Sequence, residues 1–356
     1  MLLRVLLVAN HAGAVAHATS DVAVTGERQP PAAEWAVKPS PMLTRWAKHV
    51  QPEQRPPYPR PQLVRPTSSW QHLNGLWSLN IRHGQPAVLG TLPPAAAPNE
   101  SQAEQKVLVP YPLESPLSGV RALPWSSALP GGWPYNHSNI DNGSYPCAFW
   151  YSRNFSTPAQ APAHSSHGGQ RRVMLRFEAV MASAVVFLNG VRLGHHRGGY
   201  DDFSFDVTQH LRPPLDGDTN VLQVGVRNDA WFHGKQFYKH FLAPGGIAYS
   251  SSSGIWQTVW LEILPPDVAI ESVVSTTLTA TPNGGADQQA PGTPSGMHVN
   301  VSLDGLPSSS GTVARVQVHI LPNSRYPART HSHSLIAYRM FGAGARSERD
   351  VGIRAV

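Results

Sequence analysis

Four carboxylates stand where a strand-rich sequence could use them for chemistry: Glu114, Asp201, Asp202 and Asp206. General acid–base catalysis needs a positioned carboxyl group, with a second titratable group whose environment pushes the two pKa values apart. Glu114 lies in Tyr111-Pro112-Leu113-Glu114-Ser115, a loop-type stretch in which a carboxylate bonds backbone N–H groups, and it has no acid/base partner nearby in the sequence. Asp206 lies between Phe205 and Val207. Both neighbours are expected to face a core, so Asp206 should point away and accept backbone N–H bonds at the end of its strand. Cys147 is the single cysteine, which rules out an internal disulfide and a Cys-based zinc site. Its setting, Cys147-Ala148-Phe149-Trp150-Tyr151, is that of a buried small hydrophobe. These residues point to no catalytic group, no metal site and no cofactor.

The elements that must hold these residues read as strands. Val173, Leu175 and Phe177 alternate with Met174 and Arg176, and Leu222, Val224 and Val226 alternate with Gln223, Gly225 and Arg227. Ile255, Gln257, Val259, Leu261 and Ile263 fall on one side of a further run, with Trp256, Thr258, Trp260 and Glu262 on the other. Period-two alternation predicts one face on a core and one toward water. Asn189-Gly190, between two apolar runs, is a strong hairpin signal because both residues accept the positive φ of a type I′ turn. Gly198-Gly199 marks a tight loop that is expected to bring Tyr200 and Phe203 inward. No stretch combines helical period with caps, so many short strands between turns predict an all-β sandwich or jelly roll. After Pro265-Pro266 three more strands are expected, over 268–281, 298–303 and 312–321. A complete immunoglobulin-like sandwich takes about seven, so this second unit reads as partial.

The formal charge is +6, and protonating all 17 His on top of it would bring the charge to +23. Lys and Arg are scattered without a run of five or six, so the basic balance reads as a solvated surface and not as a nucleic-acid stripe. No apolar run reaches the roughly 18 residues of a membrane span. Residues 1–20 carry Arg4, the apolar run Val5–Ala9 and Ala16-His17-Ala18, the pattern of a signal or transit peptide. Five Asn-x-Ser/Thr sequons, at Asn99, Asn136, Asn142, Asn154 and Asn300, favour a secreted or endomembrane setting over the organellar alternative. Residues 21–60 are Pro-rich and polar and read as a leader or linker, while 83–106 and 156–170 read as exposed insertions.

A specific resemblance runs through the order of several short motifs. Tyr58-Pro59-Arg60-Pro61-Gln62-Leu63 and Trp70-Gln71-His72-Leu73-Asn74-Gly75-Leu76-Trp77 are followed by Val109-Pro110-Tyr111-Pro112-Leu113-Glu114-Ser115. Then come Trp150-Tyr151-Ser152-Arg153-Asn154-Phe155, Leu188-Asn189-Gly190, and His196-Arg197-Gly198-Gly199-Tyr200-Asp201 with Phe203 to Thr208. The series closes on Gly234-Lys235-Gln236, Pro244-Gly245-Gly246-Ile247 and Ser253-Gly254-Ile255-Trp256-Gln257-Thr258-Val259-Trp260. Together they resemble the N-terminal sugar-binding domain of family 2 glycoside hydrolases, which include β-galactosidases, β-glucuronidases and β-mannosidases. The resemblance implies a jelly-roll sandwich over 61–266 and the start of an immunoglobulin-like domain over 267–356; from about Tyr326 the sequence shows neither period nor turn logic, so that tail is expected to be poorly ordered.

The resemblance also implies that hydrolysis of O-glycosyl bonds belongs to a (β/α)₈ barrel. Such a barrel takes roughly 250 residues, and 90 follow Pro266. The family's acid/base Glu follows an Asn. The one Asn-Glu pair, Asn99-Glu100, falls in the upstream Pro/Ala-rich insertion, where no catalytic role is expected. Some relatives lend an acidic residue just before the Ser-Gly-Ile turn, where this chain has Ala248 and no Asp or Glu between Ala230 and Leu261. That departure puts galactosidase or glucuronidase specificity in doubt. Asn228, Asp229, His233, Lys235 and Gln236 are the polar candidates for substrate binding toward an adjacent barrel. The implied partner is a carbohydrate, a β-glycoside, met through the full-length enzyme. The alternatives are a free-standing carbohydrate-binding module without hydrolase activity and a truncated product.

Overall fold

The computed structural model describes residues 2–9, 35–60, 63–82, 105–120, 148–161, 171–213, 219–228, 240–241, 249–265, 269–279, 294–304, 314–321, 334–336 and 353–355. Among them the helical segments are three-residue 3₁₀ turns, at Ala47–His49, Thr67–Ser69 and Pro116–Ser118. Strands make the rest of the regular structure, so the chain is all-β.

Two antiparallel sheets form the main sandwich. One orders Phe203–Asp206, Arg172–Phe177, Val259–Leu264 and Trp70–His72 side by side. The other runs Gln105–Val109, Gly75–Arg82, Ala148–Phe155, Asn220–Arg227, Ser183–Leu188 and Val191–Arg197. The alternating residues meet between them: Val173, Leu175 and Phe177 pack with Val259, Leu261 and Ile263 from one sheet, against Leu222, Val224 and Val226 from the other. Each such side chain contributes about 1.5–3 kcal/mol when taken fully out of water. Trp77 and Tyr151 fill the middle, their rings edge-on at 6.3 Å.

The Asn189-Gly190 hairpin forms as the sequence predicts, with φ of 52° and 80°. Asn189 also ties the turn down. Its Nδ2 donates to the His210 carbonyl and to Asn220 Oδ1, and its Oδ1 accepts from the Val221 N–H.

The outer face of the smaller sheet departs from the simple alternation. Trp260, Arg176 and Glu262, expected to face water, are all buried. The reason is the preceding segment, which lies over this face: Tyr58 donates to Glu262, its ring meets Trp70 at 5.2 Å, and Arg65 pairs with Glu262. The larger sheet has a second apolar cluster on its own outer face, formed by Ala148, Trp150, Val185 and Phe187. Gly225 is required beneath it, since a Cβ there would stand 2.7 Å from the Trp150 ring. Trp77 and Trp260 are buried, whereas Trp70 and Trp256 are partly exposed.

Part of the segment read as a leader is docked on the sandwich. The Trp35 indole N–H is within 3.2 Å of the carbonyls of Leu117 and Ser118, and the Lys38 N–H donates to the Pro116 carbonyl. Farther along, Ala269–Thr279 pairs with Pro294–Asp304, which also pairs with Ile353–Ala355. Leu2–Ala9, within the stretch read as a signal or transit peptide, forms a strand antiparallel to Ala314–Leu321, whose other neighbour is Ser334–Ile336. The three strands expected after Pro266 are thus present, with two short ones inside the tail expected to be poorly ordered; the remainder of that tail lies outside the described residues.

Candidate functional site

Two polar constellations stand out, one at the loop end of the sandwich and one on its outer face. At the loop end, Glu114 accepts from the Ser253 N–H at 2.8 Å and from Ser253 Oγ at 2.6 Å. Ser253 sits just before Gly254, whose φ of 90° holds the backbone where a side chain cannot go: a Cβ would stand 1.9 Å from Tyr151 Oη. Asn228, at the end of Asn220–Arg227, points its Nδ2 at Ser251 Oγ, the Ser252 carbonyl and Ser253 Oγ, at 3.2, 3.1 and 2.8 Å. One carboxylate and one amide therefore fix the serine turn from either side. Burial pushes the Glu114 carboxyl above the usual range, against the lowering effect of the Ser253 bonds and of Lys38. A raised carboxyl suits a general acid, but Glu114 is surrounded by groups of its own loops.

Of the predicted substrate-binding residues, Asn228 is thus engaged with the serine turn, although its Oδ1 is buried without a hydrogen bond. Asp229, His233, Lys235 and Gln236 lie outside the described residues, as do Ala248, Cys147 and the Asn99-Glu100 pair.

The second constellation was missed in the sequence. Glu262, fully buried, pairs with Arg176 and Arg65 and accepts from the Tyr58 hydroxyl. Arg176 reaches on to Glu271 at 3.2 Å, and Arg60 bridges to the same carboxylate at 3.1 Å. Burial alone would raise the Glu262 carboxyl, but Arg176 and Arg65 outweigh it and hold the group below the usual range. Glu271 is held low in the same way, with Arg176 and Arg60 overcoming its desolvation. Two neighbouring carboxylates kept ionised by shared arginines cannot divide the roles of proton donor and nucleophile that hydrolysis of a glycoside requires. The signal was a charged residue flanked by apolar ones inside each of two strands, Arg176 in RVMLRF and Glu262 in VWLEIL. Their strands pair, with Trp260 opposite Arg176 and Glu262 opposite Met174.

Asp201 and Asp202 stand at the surface. Asp206 is exposed, and its Oδ1 accepts from the Thr208 N–H at 3.0 Å and from Thr208 Oγ1 at 2.5 Å. This is the strand-end acceptor role expected from its neighbours. Among the described residues, no group of three or more His, Cys, Asp or Glu could hold a metal ion.

The geometry is that of an all-β sandwich module whose buried polar groups serve its own architecture. Residues 134–244 match the family described as "Glycosyl hydrolase 2 galactose-binding domain-like". A beta-glucuronidase of Formosa agariphila is 28% identical over 134 residues, covering 37% of this chain and 12% of that protein. A beta-galactosidase of Thermoanaerobacter pseudethanolicus is 27% identical over 131 residues, covering 36% of this chain and 16% of that one. A beta-galactosidase of Thermoanaerobacterium thermosulfurigenes is 35% identical over 104 residues, covering 28% and 14%. Over residues 134–244 the chain is thus similar to the galactose-binding-like domain of glycoside hydrolase family 2. The matched stretch spans between 12% and 16% of the length of these relatives.

Proposed function

We propose that this chain is the N-terminal, non-catalytic part of an enzyme that hydrolyses O-glycosyl bonds, and that alone it turns over no glycoside. The observation that carries this reading is the state of Glu114, Glu262 and Glu271. Glu262 and Glu271 are held ionised by arginines, and the raised carboxyl, Glu114, is bonded to Ser253. A retaining glycosidase needs two carboxyl groups about 5–5.5 Å apart, of which one stays protonated to act as acid. The substrate is a β-glycoside, met when a barrel outside these 356 residues supplies that pair. In this reading the jelly roll covers 61–266 and the first immunoglobulin-like strands follow from 267. Asn228 holds the serine turn, and Asp229, His233, Lys235 and Gln236 are, in this reading, the substrate-binding groups beside it in the sequence.

The test is hydrolysis of aryl β-galactosides and aryl β-glucuronides by the purified chain. Release no faster than from a heat-killed control is the expected result. Turnover that tracks the protein through purification and disappears in Glu114→Gln would overturn the proposal. Mapping the 3′ end of the transcript checks the other half: an in-frame barrel with a strand-end Asn-Glu is expected downstream.

A further inference from the structure

We propose that the turn carrying Tyr200, backed by Trp256, is a stacking platform for a neutral pyranose; this deepens the carbohydrate reading above and rests on it.

The Gly198-Gly199 turn was expected to send both following aromatics inward. Phe203 does go in, stacking on Phe177 at 4.8 Å and 7°. Tyr200 goes the other way and keeps 53% of its surface in water. A single exposed aromatic is ordinary, but this one is held rigidly. Its ring meets Trp256 edge-on at 5.8 Å and 83°, and the Trp256 indole N–H donates to the Gly199 carbonyl at 2.8 Å. The Gly198 N–H is tied to the Ala182 carbonyl at 2.9 Å. Below the turn, His196 stacks on Phe203 at 4.2 Å and 11°, continuing the aromatic column into the core. The turn is therefore bolted to both the hairpin and the Trp256 loop, and ordering it on binding would cost little conformational entropy.

A fixed aromatic ring open to water complements the C–H face of a pyranose, which is apolar while its equatorial hydroxyls project sideways. Asp201 and Asp202 follow Tyr200 directly and are both exposed. Carboxylates accept from hydroxyl groups through charge-assisted bonds, and they repel a second carboxylate. Arg197, also exposed, precedes the glycine pair, whereas the two carboxylates follow the ring directly, so the platform favours a neutral sugar over a uronate.

The experiment titrates the whole chain with β-1,4-galactotetraose, cellotetraose and methyl β-D-glucuronide while following the Trp256 indole N–H resonance by NMR. A saturable shift with at least one neutral tetrasaccharide, and none with the glucuronide, is expected. Tyr200→Ala should weaken that binding roughly tenfold, the scale of a lost aromatic contact, with an unchanged melting temperature. Tyr200→Phe should retain it. Neutral sugar that binds Tyr200→Ala as well as wild type would overturn the platform and leave the glycosidase reading standing. So would a Trp256 resonance that stays still up to about 10 mM sugar. Turnover by the isolated chain, by contrast, would strike the non-catalytic reading and not this one.

Discussion

Replacing Glu262 with glutamine keeps the shape of the side chain and removes one negative charge from the most buried ion cluster on the sandwich. Glu262 has 0% of its side chain exposed, Arg176 4% and Arg65 14%. Glutamine leaves Arg176 with Glu271 as its remaining counter-ion, and Arg65 with the Ile270 carbonyl. Breaking a buried pair from one side costs about 3–5 kcal/mol, because the surviving charge stays desolvated. Glu271→Gln should cost far less, about 1 kcal/mol, since 38% of that side chain is in water and screening is strong there. The paired change Glu262→Met with Arg176→Met should recover most of the loss, since a buried ion pair is often matched by apolar groups of similar volume. Urea denaturation of the four proteins at pH 7 gives the comparison, with the slope of each transition confirming a common unfolded state. The sign with pH follows from the lowered carboxyls. Their contribution is fully present above the unfolded carboxylate pKa of about 4.3 and is lost as pH falls through the folded value. If Glu262→Gln costs less than about 1 kcal/mol, the network is screened by water and the burial argument fails.

Three further outcomes can be stated. Asp206→Asn should leave the melting temperature nearly unchanged, because Asn retains an acceptor for the Thr208 N–H, while Asp206→Ala should lose about 1 kcal/mol. Burial pushes the His72 imidazole down from 6.5 to about 4, helped by Arg153 and Arg55. The folded state therefore resists a proton that the unfolded state takes up, so stability is full above pH 6.5 and declines toward pH 4. After discounting for its partial exposure, this amounts to about 1–2 kcal/mol, and His72→Gln should flatten the decline between pH 6.5 and 5 in a urea series. Gly119→Ala should cost about 1–3 kcal/mol, from a positive φ and from a Cβ only 2.3 Å from the Trp35 ring, and limited proteolysis should then cut the 35–60 segment sooner.

Strands and turns were legible because their signals are local. The Asn189-Gly190 turn sits between two apolar runs that pair as a hairpin, with Phe187 beside Arg192 and Leu188 beside Val191. Asp206 was legible for the same reason: its two neighbours settle which way it points. What covers a sheet's outer face is not local. Nothing within Val259–Leu264 announces that Tyr58 and Arg65, about 200 positions earlier, will lie over Glu262. Alternation places one residue set inside and is silent about a second layer. Tyr200 was misjudged through the same gap, because a glycine pair fixes that the chain turns but not which aromatic it delivers to the core. The predicted site suffered differently. Asn228 is seen, and its amide is engaged at the serine turn, whereas four of its companions fall outside the described residues.

The charge cluster also bears on how the sandwich is joined to the strand that follows it. Glu262 belongs to the last strand of the main sandwich and Glu271 to the first strand beyond it, while Arg60 and Arg65 come from the segment before its first strand. Arg176, from a central strand, touches both carboxylates. One ionic knot therefore joins the way into the sandwich, its middle and the way out. Hydrophobic packing is nondirectional and would let the exit strand pivot. Shared guanidinium groups, with their planar and fixed donor geometry, allow one arrangement. Arg176, by holding Glu262 and Glu271 together, fixes in this way how the first strand beyond the sandwich leaves it.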